Sequence, residues 1–125
     1  MSNWNEFEFD DPYEGKIVKE INGIKLPQQY IDFMLLHNGG EGDLGKTWFV
    51  LYPMEELKTI NEDYEVNKYL PGRIIIGSNA GGELYGIDSE GEYFIVPEIM
   101  EEEYITFLGT DLDQLPDKIN EFWAQ

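Results

Sequence analysis

The chain contains no cysteine and a single histidine. The first absence excludes disulfide bridges, a thiol nucleophile and any cysteine-built zinc site. The second leaves His37 as the only imidazole, with no second histidine to share a catalytic or metal site. His37 ends an apolar helical run just before two glycines, a place that suits interaction with a helix C-terminus better than catalysis. Basic residues are scarce too: eight Lys and Arg stand against 26 Asp and Glu, a formal charge of −18. Such a field repels nucleic acid and anionic membrane and attracts basic partners. It also keeps a protein soluble without any partner. No apolar stretch approaches the roughly 20 residues needed to cross a bilayer. Met1 to Asp11 lack the basic segment and apolar run of a secretory signal. A cytoplasmic protein is expected, one that binds neither nucleic acid nor membrane.

What is present is aromatic and aliphatic material for a core. Eight Tyr, seven Phe and three Trp in 125 residues separate this chain from the disordered class. The length suits one domain, 1–125, in which residues 1–14 form an atypical arm. In that arm Trp4, Phe7 and Phe9 stand among acids and fit either an edge strand or an ordered arm. Tyr13, Ile17 and Ile21, four apart, predict a short helix stopping at Asn22-Gly23. A clearer helix covers 27–37. Pro27 suits its first position, Tyr30, Phe33, Met34 and His37 share a face, and Asn38-Gly39-Gly40 ends it with a left-handed glycine cap.

Residues 47–51 read as a strand, and Pro53 opens a second helical stretch that ends before Asn67. Pro71-Gly72 then makes a turn. Three isoleucines at 74–76 mark a central strand. Residues 84–88 and 92–96 pair as a hairpin around Ser89-Glu90-Gly91. A short strand is expected at 104–107, and a C-terminal helix over 111–123; Pro116 is awkward inside it unless the helix proper begins there, with Pro116 in its first turn. The order of elements predicts an α+β fold: a mostly antiparallel sheet flanked by N-terminal and C-terminal helices.

Two blocks of residues carry a resemblance. Leu26, Pro27, Tyr30, Phe33, Asn38, Gly39 and Gly40 give LPxxYxxFxxxxNGG; Gly77, Ser78, Asn79 and Gly81 then lead to Leu84-Tyr85, Ile87-Asp88 and Gly91. In this order they resemble the SUKH superfamily, which groups a fungal cell-wall-assembly regulator with many bacterial toxin-immunity proteins. The resemblance covers about residues 17–123 and is most specific over 26–40 and 74–95. It implies a SUKH-like α+β domain and, for bacterial members, stoichiometric inhibition of a cognate toxin, often a nuclease. The fungal relatives imply the alternative of a regulatory or scaffold protein-binding domain. The chain departs from the pattern in its first segment. The motif residues themselves read as structural, since they open, pack and cap a helix and shape turns, and a fold does not fix a function.

Chemistry-bearing patterns are weak. Asp88, Glu90 and Glu92 outline part of a calcium loop but lack its remaining ligands, and a hairpin turn accounts for them. Gly77 to Gly82 follows a strand as a phosphate loop would, without the lysine. Carboxylates are too abundant for any pair to mark a glycosidase. No catalytic residue, metal ligand or cofactor is assigned. A carboxylate-based hydrolase would demand a ligand pocket.

The run Glu98, Ile99, Met100, Glu101, Glu102, Glu103, Tyr104 reads either as a solvated loop or as a contact surface. In the second reading its carboxylates, with Asp88 and Glu90, pair with Lys and Arg of a partner while Met100 and Tyr104 anchor it. Glu41 and Asp43 are candidates for the same surface. The partner implied is a basic toxin protein. A nuclease holds phosphate in a basic site, to which an acidic inhibitor is steered.

Overall fold

The structure, a computed structural model, describes residues 4 and 6–125. Its strands are β1 (Glu6–Phe9), β2 (Glu20–Ile21), β3 (Ile24–Lys25), β4 (Gly40–Asp43), β5 (Trp48–Leu51), β6 (Arg73–Ser78), β7 (Glu83–Asp88), β8 (Tyr93–Pro97) and β9 (Thr106–Gly109). Its helices are α1 (Gln28–Leu36), α2 (Leu57–Asp63), α3 (Val66–Tyr69) and α4 (Leu115–Trp123). Seven strands form one antiparallel sheet in the order β1-β4-β5-β6-β7-β8-β9, and β2 and β3 pair apart from it. The expected α+β class and antiparallel sheet are both found, with the isoleucine strand β6 at the centre.

Side-chain alternation along β6 to β8 divides the core into two layers. Ile74, Ile76, Tyr85, Ile87, Tyr93 and Ile95 face the side packed by α1 and α4, through Tyr30, Phe33, Met34, Leu115 and Ile119. Ile75, Leu84, Phe94 and Val96 face the other side, against Val66, Leu70 and Met100. A strand buried on both faces can be apolar at every position, hence the unbroken isoleucines. Each such side chain contributes about 1.5–3 kcal/mol relative to exposure.

A buried amide completes the sheet where a strand is missing. β5 pairs with β6 only at Val50–Ser78 and Leu51–Gly77, and the chain then turns away at Pro53. Asn61, 1% exposed, takes the vacated place. Its Oδ1 accepts from the Ile75 N–H at 2.7 Å, and its Nδ2 donates to the Ile75 carbonyl at 2.9 Å and to the Leu57 carbonyl at 2.8 Å. One side chain thus satisfies both backbone groups of a core residue, as a neighbouring strand would.

Several expectations need correction. Residues 13–21 are not helical. Asn22 and Gly23 both take positive φ, +52° and +82°, and join β2 to β3 with Ile21 opposite Ile24. Asn-Gly is the strongest two-residue hairpin signal, and Ile17, half exposed, never joined a buried face. Pro27 precedes α1 as an extended N-cap, its carbonyl accepting from the Ile31 N–H at 3.0 Å. α1 leaves through His37 in an extended conformation, without the left-handed glycine cap. The two glycines serve β4 instead, a strand not anticipated. A Cβ on Gly39 would strike the Leu51 carbonyl, and one on Gly40 the Glu8 carbonyl; both residues have positive φ, +91° and +146°.

In the 78–83 turn the positive φ falls on Ala80 and Gly82 rather than Gly81, while Asn79 Oδ1 accepts from the N–H groups of Gly81 and Glu83. The second helical stretch opens with a 3-10 turn over Met54–Glu56, is interrupted after α2 at Glu65, whose φ is +54°, and resumes as α3 to Tyr69 rather than ending before Asn67. Residues 102–104 form a 3-10 turn, and the strand begins only at Thr106. The C-terminal helix proper starts at Leu115, with Pro116 in its first turn as expected.

Candidate functional site

The predicted contact residues fall into different roles. The Asp88 carboxylate is engaged within its own hairpin: Oδ1 accepts from the N–H groups of Glu90 and Glu92, each at 2.9 Å. Glu90 stands exposed at the tip. Met100 is core and no anchor. Its N–H donates to the Pro97 carbonyl at 2.9 Å, its φ is +50°, and the tight turn drives its side chain, 7% exposed, into the second core layer. Glu98, Glu101, Glu102 and Glu103 are exposed. So are Ile99, Tyr104 and Phe107, at 62%, 52% and 48%. These three apolar side chains lie close in sequence, on and just before the edge strand β9.

Electrostatics tie part of the run to the sheet. Glu102 lies 3.3 Å from the Arg73 guanidinium, and Arg73 sits opposite Asp88 in the β6–β7 register. A hydrogen bond with Glu103 is the main reason the Glu101 carboxyl is raised above its ordinary pKa, with slight desolvation and the Glu103 charge adding to it.

Glu41 and Asp43 lie elsewhere, on β4 near the opposite edge of the sheet. Phe7, Gly42 and Phe49 turn inward across β1, β4 and β5, so their neighbours turn outward. Glu6 sits directly opposite Asp43, and Glu8 directly opposite Glu41. Trp48, 46% exposed, is opposite Asp43, and its Nε1 donates to Glu41 Oε2 at 3.3 Å. These side chains line an open cleft of about 680 Å³. The arm that carries Glu6 and Glu8 is an edge strand rooted in the core. Trp4 is 1% exposed and packs among Phe7, Phe9, Phe33 and Phe49, with ring centroids 5.0 to 6.1 Å away.

Sequence reasoning missed Glu6 and Glu8 as surface partners of Glu41 and Asp43. The signal was the strict alternation of acid with Phe at 6–9 and with Gly at 40–43. Half-buried strands read that way.

His37 stacks against Phe9, centroids 4.4 Å apart, at the end of α1. Among the described residues, no group of three His, Asp or Glu is arranged to hold a metal ion. No described helix is long and apolar enough to cross a membrane.

A comparison with curated proteins returns no match. Residues 16–118 match the SMI1 / KNR4 family (SUKH-1), a span that takes in both motif blocks and the sheet from β4 to β9 but leaves out β1. On a match that covers most of its length, the chain belongs to the SMI1/KNR4 (SUKH-1) family.

Proposed function

We propose that the protein is an immunity protein of the SUKH type, which binds a basic cognate toxin one to one in the cytoplasm and neutralises it by occlusion. The observation that carries this reading is the exposed β9 edge, where Glu98, Glu101, Glu102 and Glu103 surround the exposed Ile99, Tyr104 and Phe107. Interfaces of this kind combine a few apolar anchors with charges that set orientation and association rate. In this reading the exposed Tyr104, Ile99 and Phe107 are the anchors, and the buried Met100 supports the run from beneath. Asp88 contributes by holding the hairpin and Glu90 by its exposed charge.

Family membership supports a protein partner, and the net charge of −18 supports a basic one. A basic nuclease fits best, because its phosphate-binding site is already shaped to receive anionic groups. Inhibition of this kind needs no catalytic residue and no cofactor.

The test is calorimetry of the protein against the toxin domain encoded beside it, at low and raised salt. Tight one-to-one binding that weakens with salt is expected, together with loss of toxin activity. A neighbouring toxin that neither binds nor is inhibited would refute the proposal and favour the regulatory scaffold.

A further inference from the structure

The two edges of the sheet are built differently. β1 carries Glu6 and Glu8, and charge on an edge strand resists pairing with other chains. β9, Thr106-Phe107-Leu108-Gly109, carries neither charge nor proline. What limits it as a template is its length of four residues and a register shift toward its far end.

The hydrogen-bond alternation of the sheet identifies the backbone groups this edge leaves open. Across β7 and β8 the Asp88 N–H donates to the Glu92 carbonyl at 2.9 Å, and the Glu98 N–H to the Gly82 carbonyl at 2.8 Å. In an antiparallel pair every second facing pair is bonded, so Gly86–Phe94, between these two in the same register, is bonded as well. Phe94 thus directs its backbone groups to β7, and Ile95 directs its own to β9, where Thr106 faces it. Phe107, opposite Phe94, is left with its N–H and carbonyl pointing away from β8. Its side chain is 48% exposed. Two residues back the edge closes, because the Ile105 N–H donates to the Glu102 carbonyl at 3.2 Å. The open place therefore fits a short strand centred on Phe107.

Charge selects the occupant. Glu98, Glu101 and Glu103 stand exposed in the run that leads into β9. Among the described residues the one cation paired with this run is Arg73, which meets Glu102. A second copy would bring the same acids and another −18 against them. Like charges across a strand pair destabilise it, and opposite charges stabilise it.

We infer that β9 receives an extended segment of a basic protein as an eighth strand of the sheet, with Arg or Lys flanking the segment's central residues. Hydrogen bonds to the Phe107 backbone hold the segment, its apolar side chains lie against the Phe107 ring, and its cations meet the glutamates. The inference rests on the function proposed above and adds how the partner is gripped.

The test uses no toxin. The ¹⁵N-labelled protein is titrated at low salt with the synthetic hexapeptide Arg-Thr-Val-Thr-Val-Arg. Shift changes are expected to centre on residues 106–109, with the Phe107 amide gaining protection from exchange. Methylating the peptide's backbone nitrogens one at a time should weaken binding about fivefold at the nitrogen that donates to the Phe107 carbonyl. Phe107→Pro removes an N–H that faces away from the ladder, where proline is tolerated. It should weaken binding more than Phe107→Ala, which loses the ring but keeps the donor. A peptide with Glu in place of both Arg residues should bind at least about tenfold more weakly.

Absence of peptide binding, shifts centred on β1, equal binding of the Glu peptide, or a dimer of this chain formed through β9 would each overturn the inference. So would a Phe107 amide already protected from exchange in the free protein, a result that needs no variant to fold. Peptide and toxin are separate reagents: a toxin that fails to bind removes the proposed function, whereas a peptide that fails to bind removes this inference alone.

Discussion

Replacing Asn61 with alanine should be among the most damaging polar substitutions in this protein. The side chain is buried and makes three hydrogen bonds, two of them to the N–H and carbonyl of Ile75. Alanine removes all three and leaves both Ile75 groups facing a space that no other strand fills. A buried backbone group without a partner costs about 1–3 kcal/mol. Two such groups and a small void put the expected loss at about 3–5 kcal/mol. Domains of this kind have only about 5–15 kcal/mol in total, so the variant should sit near the edge of folding.

Urea unfolding followed by tryptophan fluorescence measures the change, and hydrogen exchange at the Ile75 amide locates it. The expected result is a much lower midpoint and Ile75 exchange faster than that of Ile87. A loss below about 1 kcal/mol with Ile75 still protected would refute the claim that Asn61 stands in for a strand.

Three further outcomes are expected. Asn38→Ala should cost about 1–2 kcal/mol by thermal melting, because Asn38 Oδ1 accepts from the Met54 N–H at 2.8 Å and Nδ2 donates to Glu55 Oε1 at 2.6 Å, fixing the start of the second helical stretch. Gly40→Ala should force β1 away from β4, since its Cβ meets the Glu8 carbonyl; a red shift in Trp4 emission, from partial exposure of the ring, reads the change. Burial raises the pKa of Tyr30 and Tyr93, whose hydroxyls have no hydrogen-bond partner, and pushes Tyr85 up to about 12. In each case the folded value lies above the unfolded one. Their contribution to stability is therefore complete below about pH 10 and lost as pH rises through the folded values. Absorbance titration should show these three tyrosines ionising only as the protein unfolds.

The legible parts of the fold were those set by local pattern. Ile74 to Ile76 announced a strand buried on both sides, and Asp88 to Gly91 announced a hairpin that the Asp88 carboxylate indeed closes. β4 was not legible, because its sequence Gly-Glu-Gly-Asp has almost no strand-forming side chains. Its reason for being a strand lies in β1, far away in sequence, whose backbone and Phe7 ring approach too closely for a Cβ at Gly40 or Gly42.

The error at 13–21 had a different origin. Spacing of four suggested a helix, but Asn22-Gly23 fixes a tight turn and its flanking isoleucines close on each other. In the candidate site, exposure was legible for the glutamates and for Tyr104. Met100 misled because an apolar residue among acids is equally at home pointing out as an anchor or in as a plug. Its left-handed backbone decides for the second.

The pairing of β1 with β4 also bears on how the chain is made. During synthesis Glu6 to Phe9 leave the ribosome about 30 residues ahead of the strand that receives them, a wait of roughly two to six seconds at ordinary elongation rates. For most of that interval Trp4, Phe7 and Phe9 lack the Phe33 ring of α1, and throughout it they lack the Phe49 ring of β5, which later enclose them. Nascent segments rich in aromatics are the ones chaperones hold and aggregates recruit. Glu6 and Glu8 sit between those aromatics from the first moment, so the charges that face outward in the finished sheet already act as the solubilising groups of an unpaired strand.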